Sequence, residues 1–290
     1  MLPHDASREA LYQSERRPTP FVKGGAVPLH PLAMEAARLA YLRAEDPGSN
    51  AKQRLDEALS RVGFSPATLF VDRASGSFGY GTRRASDRTR LIAFRGTQPD
   101  DLNDLLSDLN FPPVDWPESS GRVHAGFARA ARSLLPAVRQ WLADTGTNTD
   151  PTHHTPDTLM ITGHSLGAAM ATLAAATLKP ALLVTLGCPR VGNAAFANAL
   201  AASVPGTRYV DCADIVTQVP PAVLDYTHAY PPRYITAQGE LVDQPTEAEM
   251  AADRRRAKAT YLLQRAWRPG HVLLRSFADH APINYLRAFF

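Results

Sequence analysis

Apolar residues occur along this chain in two patterns that alternate, and the alternation predicts the layout of the fold. Short continuous apolar runs are typical of strands buried on both faces, whereas apolar positions at a spacing of three or four are typical of helices. Strands are predicted over residues 68–72, 90–94, 159–162, 181–186 and 207–211. Helices are predicted over residues 31–45, 51–62, 123–142, 168–176, 194–202 and 245–267. Strands that alternate with helices predict an α/β domain with a mostly parallel sheet and helices on both of its faces.

Three segments fall outside this alternation. Residues 1–27 are polar and rich in proline, and we expect an extended arm on the surface. The glycine run at residues 76–81 leads into a strand rather than a helix, so it is expected to be the turn of a hairpin and not a phosphate-binding loop. Residues 234–236 and 240–242 predict a hairpin at the edge of the sheet. No linker divides the sequence, so a single domain over residues 1–290 is expected.

A candidate nucleophile lies where one predicted strand meets the following helix. The apolar run from Leu159 ends in Gly163-His164-Ser165-Leu166-Gly167, and an alanine-rich segment follows at once. The glycines keep Cβ atoms out of a sharp turn, which would present the Ser165 hydroxyl above the free N–H groups of a helix N-terminus. This pattern in this context is similar to the nucleophile turn of α/β-hydrolases. The alternative is a chance pentapeptide in an ordinary turn.

A serine hydroxyl needs a base within hydrogen-bond reach and an acid that orients the base. The downstream histidines are His228, His271 and His280. We expect His280 to be the base, because it follows an acid at the end of the last helix, where the chain can return to the sheet. Asp211 and Asp214 compete for the acid. Asp214 is preferred because it stands where the chain leaves the sheet, whereas Asp211 is expected to bond the local turn.

The order of several sequence blocks resembles the class 3 lipase family, the fungal-type triacylglycerol lipases with an α/β-hydrolase fold. The blocks are Phe94-Arg95-Gly96-Thr97, Val123-His124-Ala125-Gly126-Phe127, Thr162-Gly163-His164-Ser165-Leu166-Gly167, Pro189-Arg190-Val191-Gly192 and Asp214-Ile215-Val216. The resemblance covers residues 69–285. It implies Ser165 as nucleophile, Asp214 as acid and His280 as base. It also implies an oxyanion hole formed by Thr97 and by the backbone N–H of Leu166.

Residues 98–110 stand where the family has its lid helix. The segment would then be a mobile cover whose leucines face the site when closed and a lipid interface when open. A static surface helix with buried leucines is the alternative. Aspartates at positions 100, 101, 104 and 108 and the lack of a tryptophan depart from the family. The charge of this segment argues against firm adsorption to anionic lipid and favours smaller or more dispersed esters. Thr217 stands where the family commonly has proline, and the family's secretory disulfides are missing.

Composition narrows the choice of partners and location. The chain has 31 basic and 28 acidic residues, and its net charge of +3 is too weak to predict a nucleic-acid partner or a strong attraction to anionic membranes. Cys188 and Cys212 are too few for a disulfide framework, so we expect buried free thiols. The sequence shows no apolar leader and no run of membrane-spanning length, so a cytoplasmic location is the default expectation, with leaderless export left open.

These features predict a serine ester hydrolase that cleaves acylglycerols or similar lipid esters through an acyl-enzyme, without a metal or organic cofactor. Transient contact with a lipid interface is expected through the lid, and the oligomeric state is not predicted. Phospholipase A1 and a short-chain carboxylesterase are alternatives that differ in acyl pocket and lid. A catalytically silent lipid-binding or interaction protein on a hydrolase scaffold is the non-enzyme alternative.

Overall fold

A mixed sheet lies at the centre of the computed structural model, which describes residues 2–96, 112–146 and 157–290. The strands of the described residues are β1 (Thr68–Asp72), β2 (Ser77–Arg84), β3 (Thr89–Phe94), β4 (Pro113–Asp115), β5 (Arg122–His124), β6 (Thr158–His164), β7 (Leu182–Leu186), β8 (Gly206–Asp211), β9 (Pro232–Ile235) and β10 (Leu241–Asp243). The main sheet has the order β1-β2-β3-β6-β7-β8-β9-β10, and β4 pairs with β5. Strands β3 to β9 of the main sheet are parallel neighbours, and β1, β2 and β10 extend its edges in antiparallel pairs.

Helices cover both faces of this sheet. They are α1 (Arg8–Tyr12), α2 (Leu29–Leu39), α3 (Ala51–Ser60), α4 (Ala125–Thr145), α5 (Leu166–Leu178), α6 (Ala194–Ser203), α7 (Glu247–Gln264), α8 (Arg275–Ala278) and α9 (Pro282–Leu286). One core joins α4 and α5 to one face, and a second core joins α2 to the other. The predicted mostly parallel sheet with two covered faces is therefore confirmed. Among the described residues, no helix is both long and apolar enough to cross a membrane.

The glycine run at 76–81 differs from its prediction as a turn, because it belongs mostly to strand β2. A Cβ atom at Gly81 would lie 2.8 Å from Cζ of Phe70 and 2.9 Å from the Trp141 ring. The glycine is therefore required by two large aromatic side chains that pack over the strand, and not by a turn. The predicted edge hairpin is present as β9 and β10.

The amino-terminal segment also differs from the extended arm that its polar composition suggests. Residues 8–12 form α1, and the Ser7 hydroxyl caps this helix by accepting from the N–H of Ala10 at 3.0 Å. Leu11 and Phe21 are each only 1% exposed. Leu11 packs in a small core with Tyr261 and other residues of the carboxyl-terminal part. A few apolar positions in a polar segment are enough to fix it on the body of the protein.

Candidate active site

Ser165 occupies the turn between β6 and α5, as its motif predicts. Its backbone angles are φ 60° and ψ −130°, a strained conformation for a residue with a side chain. A Cβ atom at Gly163 would lie 2.2 Å from the carbonyl oxygen of Gly167, so glycine is required there. The turn is held by the N–H of Ser165, which donates to the carbonyl of Leu186 at 3.0 Å. A hydrogen bond to β7 therefore helps to hold Ser165 in this strained conformation.

The structure brings the three candidate side chains together. Nε2 of His280 lies 2.9 Å from Oγ of Ser165, and its Nδ1 lies 2.8 Å from Oδ2 of Asp214. Ser165, Asp214 and His280 are 1%, 0% and 3% exposed. A serine, an imidazole and a carboxylate in this order form a relay that can take a proton from the hydroxyl.

Two further donors fix the carboxylate of Asp214. The N–H of Val216 donates to Oδ1 at 2.8 Å, and the phenol of Tyr285 donates to Oδ2 at 2.5 Å. The Tyr285 oxygen in turn accepts from the N–H of Asp211 at 3.2 Å. Burial raises the pKa of Tyr285 well above 10.0, so the phenol keeps its proton and can donate it. Asp214 therefore has a donor on each oxygen besides the imidazole.

Asp211 has the local role expected of it. Its Oδ1 accepts from the N–H of Cys212 at 2.7 Å and from the Arg287 guanidinium at 2.6 Å. Thr217, which replaces the proline common in the family, donates its hydroxyl to the carbonyl of Asp214 at 2.9 Å. The side chains of Asp211 and Thr217 therefore stabilise the loop after β8.

The rejected histidines lie in other contacts. Nε2 of His228 is 2.9 Å from the carbonyl of Thr217, and Nδ1 of His271 is 3.1 Å from the carbonyl of Arg265. Burial lowers the pKa of His228 well below 6.5. Both side chains bond backbone carbonyls and neither bonds Ser165 or Asp214.

A neutral histidine packs against the candidate base. The ring centroids of His164 and His280 are 4.5 Å apart, and Nδ1 of His164 is 2.7 Å from the Tyr41 hydroxyl. Burial, followed by the nearby His280, lowers the pKa of His164 well below 6.5. The site can therefore charge one imidazole without an adjacent second cation. The sequence gives no signal for the contact between Tyr41 and His164, because these residues are 123 positions apart.

Asp279, which directly precedes the candidate base, links the site to the amino-terminal segment of the chain. Its Oδ1 is 2.7 Å from Nε2 of His4, and its Oδ2 accepts from the N–H of Ala213 at 2.9 Å. The Arg275 guanidinium adds a contact at 3.1 Å. Asp279 thus joins the loop before Asp214 to the segment that contains His280. Sequence reasoning missed His4, which lay in the expected arm.

Of the two residues predicted to form the oxyanion hole, the structure describes Leu166. Leu166 is the first residue of α5, so its N–H is among those without a partner inside the helix. It follows Ser165 directly and is suited to an oxyanion beside the hydroxyl. Thr97 and the candidate lid at 98–110 lie outside the described residues.

Comparisons with known proteins show what this chain is similar to. Residues 91–224 match the family model of the class 3 lipases. The lipase of Rhizomucor miehei is 34% identical over 173 residues, which are 53% of this chain and 44% of that protein. The secreted mono- and diacylglycerol lipase 1 of Fusarium solani is 32% identical over 162 residues, 53% of this chain and 46% of that protein. The chain spans less than half the length of these relatives.

A solved structure extends the similarity to the fold. Lipase II from Rhizopus niveus superposes with a TM-score of 0.59 at 27% identity, over 75% of this chain and 84% of that one. The predicted α/β-hydrolase fold is therefore confirmed.

The cytoplasmic location expected by default is contradicted by these relatives, one of which is named as secreted. The expectation rested on the lack of an apolar leader, and leaders are removed from mature secreted proteins, so that observation carries no information about location. The matched family model, the relatives and the shared fold agree with one another: this chain is similar to the class 3 lipases over residues 91–224.

Proposed function

We propose that this chain is a serine ester hydrolase that cleaves carboxylic esters of acylglycerols or similar lipids through an acyl-enzyme. The observation that carries the proposal is the position of His280 between Ser165 Oγ at 2.9 Å and Asp214 Oδ2 at 2.8 Å. The names of the relatives, a lipase and a mono- and diacylglycerol lipase, support this class of substrate.

In the proposed reaction, His280 accepts the hydroxyl proton as Ser165 Oγ forms a bond to the ester carbonyl carbon. The carbonyl oxygen becomes an oxyanion, held by the N–H of Leu166 and by Thr97. The tetrahedral centre collapses, and the alcohol leaves with the proton from His280. Water then attacks the acyl-enzyme, gives a proton to His280, and the carboxylic acid departs as Oγ recovers that proton.

Asp214 acts on His280 rather than on the ester. By accepting from Nδ1, its carboxylate selects the tautomer whose Nε2 is free to take the serine proton. It also stabilises the imidazolium formed in the first step. We expect Asp214→Asn to lower kcat by about four orders of magnitude, as loss of the orienting acid does in comparable triads.

The proposal is tested by labelling with a serine-directed fluorophosphonate and by hydrolysis of p-nitrophenyl butyrate. The wild-type chain should be labelled and active. Ser165→Ala should abolish the label, and His280→Ala should lower both signals by several orders of magnitude with circular dichroism unchanged. Ser203→Ala, which changes an exposed serine away from the turn, is the matched control. A folded wild-type chain that neither reacts nor hydrolyses would favour the silent binding protein.

The substrate class is tested by a chain-length profile. Acylglycerols of increasing chain length, short soluble esters and a phospholipid distinguish a lipase from a carboxylesterase and a phospholipase A1. We include a lid over residues 98–110 in the proposal. It predicts that a deletion within this segment changes the rate on emulsified esters more than the rate on soluble esters.

A further inference from the structure

Exposed large apolar side chains are concentrated in one stretch of the chain. Of the eleven that are exposed among the described residues, five lie between residues 262 and 274. They are Leu262 (49%), Leu263 (82%), Trp267 (77%), Leu273 (58%) and Leu274 (49%), which we call the apolar cluster. The two other tryptophans of the chain, Trp116 and Trp141, are buried. Single exposed leucines are ordinary on a protein surface, but a group of this kind marks an interaction site.

Hydrogen bonds join the two parts of this cluster. Helix α7 ends at Gln264, and the N–H groups of Arg265 and Ala266 both turn back to the carbonyl of Tyr261, at 2.8 and 3.1 Å. The Tyr261 hydroxyl then donates to the carbonyl of Val272 at 2.6 Å. The segment after the helix is therefore folded against the helix end, and this brings Leu273 and Leu274 back toward the leucines of α7.

Positive charge surrounds the cluster. Residues 254–275 contain seven arginines and lysines and no acidic residue. Arg254 donates to the carbonyl of Cys212, and Arg275 bonds Asp279. The remaining basic residues are exposed: Arg255, Arg256, Lys258, Arg265 and Arg268. In the described part of the chain, the only carboxylate within ion-pair reach of these exposed residues is that of Asp253, 3.9 Å from Arg256.

The charges and the leucines share the outer face of α7. Arg255, Lys258 and Leu262 follow at i, i+3 and i+7, which places them along one side of the helix. The opposite side carries Ala257 and Tyr261, which are buried against the body. The exposed side therefore runs from basic side chains to the apolar cluster at the carboxyl end.

We propose that this basic and apolar surface docks the protein on a lipid–water interface that carries anionic lipid. Tryptophan and leucine side chains lower their free energy by entering the boundary between headgroups and acyl chains, and arginine and lysine are attracted to the anionic headgroups. A second copy of the chain is a poorer occupant, because a two-fold contact would place the same basic residues opposite each other.

The docking surface is connected to the candidate triad by a short stretch of chain. Leu274 precedes α8, whose Ser276 carbonyl accepts the N–H of Ile215, the residue after Asp214, at 3.3 Å. Asp279 and His280 follow α8 directly. Docking here would place the lipid interface close to α8, the helix that directly precedes the candidate base, independently of the segment at 98–110.

Tryptophan fluorescence of the full chain gives a direct test. The probes are vesicles of phosphatidylcholine with phosphatidylglycerol and vesicles of phosphatidylcholine alone. Since Trp267 is the exposed tryptophan, its entry into the interface should shift the emission to shorter wavelength with the anionic vesicles, and Trp267→Phe should remove the shift. Added salt should weaken binding. No binding to anionic vesicles, or an unchanged shift in Trp267→Phe, would overturn the proposal.

Vesicle sedimentation separates the two contributions. Arg255→Glu with Lys258→Glu should weaken binding to anionic vesicles by roughly tenfold or more, since each basic side chain near such a surface contributes about a fivefold factor. Leu263→Ser should weaken binding as well. Val22→Ser, which changes a side chain that is 68% exposed elsewhere, and Arg73→Glu are matched controls and should bind as wild type. Equal losses in controls and cluster variants would contradict the assignment.

Activity measurements keep this proposal apart from the proposed hydrolysis. Ser165→Ala should bind vesicles as the wild type does, and the cluster variants should hydrolyse soluble p-nitrophenyl butyrate at the wild-type rate. A chain that hydrolyses the ester but binds no vesicles overturns the docking alone. A dimer in solution that Leu263→Ser dissociates would assign the surface to a second copy and overturn the lipid proposal.

Discussion

The contact between Tyr285 and Asp214 offers a sharp test of how the candidate acid is held. Tyr285→Phe removes a single hydroxyl, which donates to Asp214 Oδ2 at 2.5 Å and accepts from the N–H of Asp211 at 3.2 Å. The phenyl ring can keep its packing, since the centroids of Tyr285 and His164 are 5.7 Å apart. The hydroxyl makes no hydrogen bond to Ser165, so an effect on turnover must pass through Asp214 and His280.

The size of the effect follows from the charge on the acceptor. A hydrogen bond to a charged group contributes about 1.5–3 kcal/mol, or roughly ten- to a hundredfold if all of it is expressed in the transition state. Asp214 keeps the N–H of Val216 and the imidazole of His280, so the lower end, about tenfold in kcat, is expected. A carboxylate with fewer donors pairs more strongly with the imidazolium, so the acid limb of the kcat/KM profile should move to higher pH.

The assay is the pH dependence of p-nitrophenyl butyrate hydrolysis, with Tyr80→Phe as the control. Tyr80 is also 0% exposed and its hydroxyl donates to the carbonyl of Ala36 at 2.8 Å, outside the candidate site. Both variants should lose stability, but only Tyr285→Phe should lower kcat and move the acid limb. Wild-type kcat and an unmoved profile in Tyr285→Phe would refute the positioning role of this tyrosine.

Two further predictions concern stability. Burial holds the pKa of His164 well below 6.5, so the unfolded chain takes up a proton below pH 6.5 that the folded chain refuses. The free energy of unfolding should be unaffected by this group above pH 6.5 and should fall below it by up to about 1.4 kcal/mol per pH unit, and His164→Asn should flatten that slope in denaturant unfolding curves. The guanidinium of Arg287 and the carboxylate of Asp211 form a buried pair at 2.6 Å. Arg287→Met should cost about 3–5 kcal/mol by the same measurement, and Asp211→Asn added to it should restore part of the loss, whereas an additive further loss would contradict the pairing.

The parts of the site that lie in local sequence patterns could be predicted. Ser165 is identified by glycines around a strand-to-helix turn, a pattern confined to five positions. Asp214 and His280 follow from the chain order of the fold and from their positions shortly after β8 and α8. Each of these arguments uses neighbouring residues or the order of elements, which a single sequence contains.

The supporting contacts could not be predicted, because they join distant positions without any periodic signal. The partners in the pair of Tyr285 and Asp214 are 71 positions apart, and those in the pair of His4 and Asp279 are 275 positions apart. Gly81 was misplaced for the same reason. Glycine by itself favours a turn, and only the aromatic rings packed over β2 explain its place in a strand.

The contact between His4 and Asp279 has a practical consequence for work on this protein. His4, with the hydrogen bonds that join Asp5 to Asn284, supports the base-bearing loop from behind. Removal of a few amino-terminal residues would remove these contacts and loosen the loop, although Ser165, Asp214 and His280 would all remain. Lost turnover after limited proteolysis should therefore be checked against the amino terminus by mass spectrometry before it is ascribed to damage at the serine.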